Sequence, residues 1–367
     1  MGIPEKIKAI QDEILRTQNN KATEHHIGLL KAKIAKLKRE QETEQVKKSA
    51  KKQDGFDVKR TGDATVVFIG LPSVGKSTLL NRLTGSKSAI GAYQFTTLTV
   101  VPGVMNYRGA RIQVLDLPGI IKGASTGKGL GKRILSVARS ADIVLLVLDV
   151  FQPYHEDVLI NELGNIGIRL NQTPPDIVIE KSTTGGIAVA QQKKLKKMSE
   201  KLLKEILNIY GYTSARVVIK EDIESEQLID FINGNKTYAK GITILNKIDL
   251  VDEKFLKDVS KKLKTDFIPT SADSNKNINQ LKERIYNELK FIRIYLRPKG
   301  GETDFKEPLI VRKGNTVADV CNKLHRNMKK DFRFGLVWGK SVKFGGQRVS
   351  LNHVLIDEDV LTVVKKR

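Results

Sequence analysis

The chain has 367 residues, 40% hydrophobic and 29% charged, and 64 Lys and Arg against 41 Asp and Glu give it a net charge of +23. That length exceeds one ordinary core and points to two or three domains, while the basic excess favours a polyanionic partner such as nucleic acid. No apolar run approaches the roughly 18 residues that would cross a bilayer, and the charged N-terminus has no secretory core, so the expectation is a cytoplasmic monomer with no membrane partner.

Residues 4–18 place Ile7, Ile10 and Ile14 on one helical face, with Pro4 suited to a first turn. Residues 24–44 repeat the pattern with Ile27, Leu30, Ile34 and Leu37, and put Lys31, Lys33, Lys36, Lys38 and Arg39 on the other faces. These lysines suit a solvated face and nucleic-acid contact equally. The two segments predict a helical hairpin over 1–46, followed by a polar, lysine-rich linker over 47–61. His25 and His26 in the hairpin, like His155, His325 and His353, show no zinc spacing.

From residue 62 the pattern changes. "ATVVFIG", "RIQVLDLPG", "ADIVLLVLDV" and "GITILNKID" are near-continuous apolar runs separated by helical stretches, the mark of a parallel sheet covered on both faces. Ligands in such folds bind beyond the carboxyl ends of the strands. This α/β domain is expected over 62–292. About 90 residues separate its third and fourth apolar runs, far more than one crossover needs. An inserted small α/β subdomain is therefore expected over 152–235, with strands at "DIVIE", "GIAVA" and "ARVVI" and a helix burying Leu202, Leu203, Ile206 and Leu207. From 293 to 367 the order β, β, α, β, β, β suggests a ubiquitin-like (β-grasp) unit, with "VKFGG" counted as one of its strands. The single cysteine, Cys321, lies in this unit's helix and reads as a core residue. With 17 Lys and Arg against 8 Asp and Glu, the unit is the favoured polyanion contact.

The chemistry lies at the strand ends. "GLPSVGKS", 70–77, has the G-x-x-x-x-G-K-S spacing of a phosphate loop between a strand and a helix. Gly70 and Gly75 let the backbone curl through Pro72 so that amides from Ser73, Val74 and Gly75 onward, with the following helix's N-terminus as far as Thr78, face phosphate oxygens. Lys76 would reach the β and γ oxygens, and Ser77 would give an oxygen to Mg²⁺. "DLPG" supplies Asp116 for the metal and the Gly119 amide for the γ-phosphate. "NKID", 246–249, selects the base: the Asp249 carboxylate can accept from the N1–H and amine of guanine together, while adenine has no such pair. Asn246 would brace the loops and Lys247 lie along the base. In "TSAD", the Ala272 backbone can meet guanine O6, with Ser271 beside it among the expected nucleotide-binding residues. Between phosphate loop and Asp116, "YQFTTLTVVPG" offers two switch threonines, Thr96 and Thr97; Thr97 is favoured as the Mg²⁺ ligand. Lys76, Thr97 and Gly119 form the expected catalytic set. Ile120, after the glycine of "DLPG", cannot orient water as a glutamine would.

Together "GLPSVGKSTLLNRLTG", "YQFTTLTVVPG", "DLPGIIKGASTGKGLGKRILSVAR" and "NKID" resemble the developmentally regulated GTP-binding proteins, within the Obg-like translation-factor-class GTPases. The likeness extends to "NKATEHHIGLLKAKIAKLKRE", "GIRLNQTPPDI" and "LVWGKSVK", hence to the whole chain. It implies a slow P-loop GTPase whose insertion resembles a ribosomal small-subunit protein domain and whose C-terminal unit is a TGS domain. It also implies association with ribosomes and RNA and, in eukaryotic members, a dedicated stabilising protein. Lys122 stands where relatives carry glutamate. Ser73 stands where many potassium-stimulated GTPases carry asparagine and still offers an oxygen, so K⁺ joins GTP, GDP and Mg²⁺ among the expected cofactors. The resulting expectation is a GTP-hydrolysing switch on the ribosome. Its rival is a non-catalytic RNA-binding or ribosome-assembly module that uses nucleotide only for structure.

Overall fold

The run Ala64–Gly70 forms strand β1 and is buried along its whole length. Its neighbours explain why. β4 (Ala110–Asp116) lies on one side and β5 (Ile143–Asp149) on the other, both parallel to it. In this computed structural model, which describes residues 2–18, 20, 23–48, 62–85, 93–95, 98–117 and 137–366, β1 is the centre of an eight-stranded sheet. β10 (Thr237–Asn246) and β11 (Phe267–Pro269) extend it in parallel beyond β5, and β6 (Ile168–Leu170) pairs with β10. On the other flank β3 (Leu98–Tyr107) and β2 (Tyr93–Phe95) are antiparallel, so the sheet is mixed rather than wholly parallel. The reason is the short connection Arg108–Gly109 between β3 and β4, both at positive φ, which permits a hairpin but no crossover.

Alternation along the central strands feeds two cores. Val66 and Phe68 of β1 pack with helix α3 (Lys76–Thr84) and helix α8 (Ile278–Glu288), whereas Val67 and Ile69 pack with helix α4 (His155–Asn165) and helix α7 (Glu253–Ser260). Leu159 and Leu163 bury α4 in the second of these cores, so α4 belongs to the sheet domain. The sequence reading started the insertion at 152. In the structure it separates as a compact unit at Asn171 and rejoins at Tyr238.

The C-terminal unit, β12 (Phe291–Leu296), β13 (Leu309–Arg312), helix α9 (Val317–Leu324), β14 (Phe332–Trp338), β15 (Gln347–Val349) and β16 (Val360–Lys365), forms a five-stranded sheet in the order β13-β12-β16-β14-β15. The segment "VKFGG" expected as a strand is a turn; Gly346 at φ +77 ends it and pairing begins at Gln347. Cys321 is fully buried on α9. This unit continues the sheet domain's core: Phe291 and Ile310 pack in the same cluster as Leu281 and Ile285. Two ion pairs, Lys323 with Asp63 (2.8 Å) and Arg312 with Asp142, fasten it beside the starts of β1 and β5. Those are the strand ends remote from the sequence motifs.

The other compact unit combines residues 1–55 with the insertion. Helix α1 (Ile3–Arg16) and helix α2 (Glu24–Lys48) pair as a hairpin, and Ile7, Ile27 and Leu30 are buried. A second face of α2, with Ala32 fully buried, packs on helix α5 (Glu200–Ile209). Helix α6 (Ser225–Asn233) and the sheet β7 (Ile177–Lys181), β9 (Ala215–Ile219), β8 (Ile187–Gln191) complete that core. Two lysines weighed for nucleic-acid contact are therefore used internally: Lys31 pairs with Glu226 at 2.6 Å and Lys36 donates to the Ile209 carbonyl at 2.8 Å. His25 and His26 pair with Glu205 and Glu13. No helix among the described residues is long and apolar enough to cross a membrane.

Candidate functional site

The carboxyl ends of β11, β10, β5, β1 and β4 lie side by side in that order. The chain therefore delivers residues 271–272, 246–249, 149, 70–77 and 116 to one edge of the sheet. Each segment emerges from a buried strand, which fixes its backbone before any side chain contributes.

The phosphate loop leaves β1 at Gly70, where a Cβ would lie 2.6 Å from the Val147 carbonyl oxygen, so only glycine fits between the two strands. Ser73 has φ +63 and Gly75 φ +93, and Gly75 caps the N-terminus of α3. A Cβ on Gly75 would meet Asn246 Nδ2 at 2.3 Å. The turn so formed directs amides and the helix N-terminus towards one point, as anion binding requires. Lys76 is buried, and its ammonium donates to the carbonyls of Gly70 (3.1 Å) and Leu71 (2.8 Å). Burial pushes the Lys76 pKa down, and nearby Asp116 partly restores it.

Asp116 ends β4 at 7% exposure. Its Oδ2 accepts from the Ser77 hydroxyl at 2.8 Å, while Oδ1 is buried with no hydrogen-bond partner among the described residues. Burial raises its pKa, against the opposing pull of Ser77 and Lys76. A buried carboxylate oxygen without a donor is costly. A hard cation bound beside Ser77 Oγ and Asp116 Oδ1 would relieve that cost, so the donor set fits Mg²⁺.

The base end is braced differently. Asn246, 2% exposed, donates through Nδ2 to the Val74 carbonyl at 2.9 Å and accepts through Oδ1 from the Ala272 amide (3.1 Å) and the Thr270 hydroxyl (3.5 Å). One side chain thus ties phosphate loop, strand end and 271–272 turn together. Ala272's amide, expected to meet the base, already serves this brace and would have to be shared. Lys247, at φ +68, reaches Asp149 Oδ2 at 2.7 Å, and Asp149 Oδ1 accepts from the Phe151 amide at 3.0 Å. Arg82 on α3 donates to the carbonyls of Ala272 (2.7 Å) and Asp273 (2.8 Å). Ser271 is fully buried and its hydroxyl accepts from the Ser274 amide. Asp249 is exposed in a short 3-10 turn, free of the sheet beneath it. Thr96, Thr97, Gly119, Ile120 and Lys122 lie outside the described residues.

The chain is 45% identical over its full length to the full length of developmentally-regulated GTP-binding protein 1 of Xenopus laevis, and 44% identical, again over both full lengths, to the protein 2 homolog of Dictyostelium discoideum. This chain belongs to the developmentally regulated GTP-binding protein family. An uncharacterized GTP-binding protein of Methanocaldococcus jannaschii is 51% identical over all of this chain and 94% of its own length. The model described as a 50S ribosome-binding GTPase matches residues 65–181, the C-terminal region of that domain 184–291, and the TGS domain 292–365. The family architecture, a P-loop GTPase domain with a C-terminal TGS domain, accounts for the eight-stranded and five-stranded sheets, and the family makes the chain a GTP-binding protein.

Asp149 and Arg82 were not singled out in the sequence. A signal existed for Asp149: it ends its apolar strand level with Asn246, the register partner it meets in the sheet. Arg82 had none, because its partners lie 190 and 191 residues away.

Proposed function

We infer that this protein hydrolyses GTP slowly and acts as a switch whose GTP and GDP states differ in affinity for the ribosome. The observation that carries the hydrolytic reading is the buried pair Lys76 and Asp116 beside Ser77, in which an ammonium lies near a carboxylate whose Oδ1 has no partner among the described residues. In this reading Lys76 exchanges the Gly70 and Leu71 carbonyls for β- and γ-phosphate oxygens. Amides of 70–76 hold the phosphates, and the Gly119 amide contacts the γ-phosphate. Ser77, Asp116 and Thr97 would hold Mg²⁺, which supplies neutralising charge in the transition state. Asp249 accepts from guanine N1–H and the amine, Lys247 lies beside the base at the angle Asp149 sets, and Ala272 shares its amide with O6.

Positioning and charge neutralisation supply most of phosphoryl-transfer catalysis, so a site with Ile120 in place of a glutamine remains competent but slow. K⁺ at Ser73, the ribosome or a protein partner would raise the rate. Support for the ribosomal half comes from the net charge of +23, the basic TGS domain and the ribosome-binding description of the family model matched by residues 65–181. The reading is tested by GTP turnover in K⁺ and in Na⁺, each with and without ribosomes. Turnover should be lowest in Na⁺ alone and rise with ribosomes; equal rates in all four conditions refute the switch.

A further inference from the structure

One face of the TGS sheet has no counterpart in the nucleotide site. Ile294, Val337, Val349 and Leu361 point towards α9 and form the unit's core. The residues alternating with them lie on the sheet's other face, which the sheet domain covers at Phe291 and Ile310 and leaves outward towards β14 and β15. Register places them in rows: Trp338 is opposite Val360, which is opposite Tyr295, and Arg348 is opposite Leu336, midway between Phe334 and Trp338. Arg297, two residues beyond Tyr295, shares that face. Three half-buried rings thus stand on the outer face, where a helix-backed sheet usually carries polar side chains.

Each of two rings carries a guanidinium. Arg297 lies 5.0 Å from the Trp338 ring centroid, and Arg348 lies 4.5 Å from that of Phe334, with Arg333 at 6.0 Å from the same ring. Among the described residues, the ion pairs of the TGS domain use other cations, Arg293, Arg312 and Lys323. The three arginines lie against rings, and among the described residues none of them pairs with a carboxylate. Arg297 is fixed further by donating from Nε to the Gly301 carbonyl at 3.0 Å, and a guanidinium held against a ring has less side-chain entropy to lose on binding.

We propose that this outer face binds single-stranded RNA, with bases stacking on the guanidinium–ring pairs Arg297–Trp338 and Arg348–Phe334 while the phosphates meet the surrounding excess of Lys and Arg. The inference rests on the ribosomal reading above and names the surface and the RNA form. A flat sheet face with spaced rings suits an extended strand whose bases are splayed, and the stacking is tolerant of sequence. Duplex RNA buries its base faces within its own stack and cannot use the rings. An acidic peptide would satisfy the charges but gains nothing from planar cations backed by rings.

Trp338 is the protein's single tryptophan, so the full chain carries its own reporter at the proposed site. An unstructured single-stranded RNA of about twelve nucleotides should quench Trp338 fluorescence saturably, and added salt should weaken the effect. The same sequence as a duplex should bind without quenching. Replacing both Arg297 and Arg348 with lysine keeps the charge and removes the planes; affinity should fall about tenfold or more, with GTP turnover unchanged as the control for folding. RNA binding by anisotropy without quenching, or unaltered affinity in the lysine variant, overturns the platform but leaves ribosome association standing. Equal quenching by polyglutamate overturns it in favour of an acidic protein partner. Nucleotide-independent ribosome binding with Trp338 quenching intact instead removes the switch and keeps the platform.

Discussion

The base end and the phosphate end of the nucleotide site are built on the same sheet edge but on opposite energetic terms. At the base end every bracing group has a partner within the chain: Asn246 joins three segments, Lys247 is held by Asp149, and Arg82 caps the 272–273 carbonyls. At the phosphate end charge is buried without full compensation: among the described residues Asp116 Oδ1 has no partner and Lys76 is bonded to carbonyls alone. The first arrangement is satisfied by the chain itself, without nucleotide. The second stores a desolvation cost that phosphate and a cation would release, so response to the nucleotide is concentrated where the chain is least satisfied.

The sharpest break in this contrast is at Asp249. Asp249→Asn exchanges an acceptor for a donor, so GTP affinity should fall by at least about a hundredfold while xanthosine triphosphate, which offers an acceptor there, should gain; competition binding with the two nucleotides measures it. At the phosphate end, Asp116→Asn should cut GTP turnover about a hundredfold or more. The same change should stabilise the nucleotide-free protein by about 1 kcal/mol in a denaturant titration, because it removes a buried carboxylate whose pKa burial raises. A raised carboxyl pKa opposes folding at neutral pH, so this gain should shrink as the pH falls and the wild-type carboxyl takes up its proton.

Asn246→Ala should do the reverse of Asp116→Asn. Losing the brace should destabilise the fold by about 1–3 kcal/mol and weaken GDP and GTP alike, since neither phosphate count nor metal enters. Calorimetric binding of both nucleotides separates the two patterns. Asp149→Asn should loosen Lys247 and raise the dissociation constants of GTP and GDP about fivefold, as expected for one partly buried, charge-assisted hydrogen bond. A loss confined to GTP would place Asp149 with the phosphates instead.

The smallest effect lies outside the site and calibrates the others. Asp319 accepts from the amide and hydroxyl of Thr316 at the start of α9, both at 2.8 Å, and these bonds hold its pKa below the ordinary carboxylate value. Asp319→Ala should cost about 0.5–1 kcal/mol of stability with turnover unchanged. The depressed pKa means that this contribution is present above the unfolded carboxyl pKa and fades as pH drops through the folded one. Chemical denaturation at pH 7 and pH 3 should therefore differ less for the variant than for the wild type.

Much of the site was legible because its parts are local. The phosphate loop is eight consecutive residues whose glycines, lysine and serine act through their own backbone turn, and "NKID" likewise presents its carboxylate from one strand end. The hairpin's registers were readable from Ile7, Ile27 and Leu30 for the same reason. Its second contact was not, because Ala32 is too small to mark a face by hydropathy, yet it sits fully buried on α5 more than 160 residues downstream.

The sequence by itself determined that the chain carries the motifs of a P-loop GTP-binding protein and a TGS sheet, since these depend on short spacings and apolar periods. Tertiary structure alone decided what holds those motifs in place. Asn246 and Val74 are 172 residues apart, Lys247 and Asp149 98, and Arg82 and Ala272 190. It also decided the antiparallel flank of the sheet, the join at Asn171 and the row of rings and arginines on the outer TGS face. Such pairs form only once strand order and register are set, and the burial that sets them is a property of the assembled sheet rather than of any segment within it.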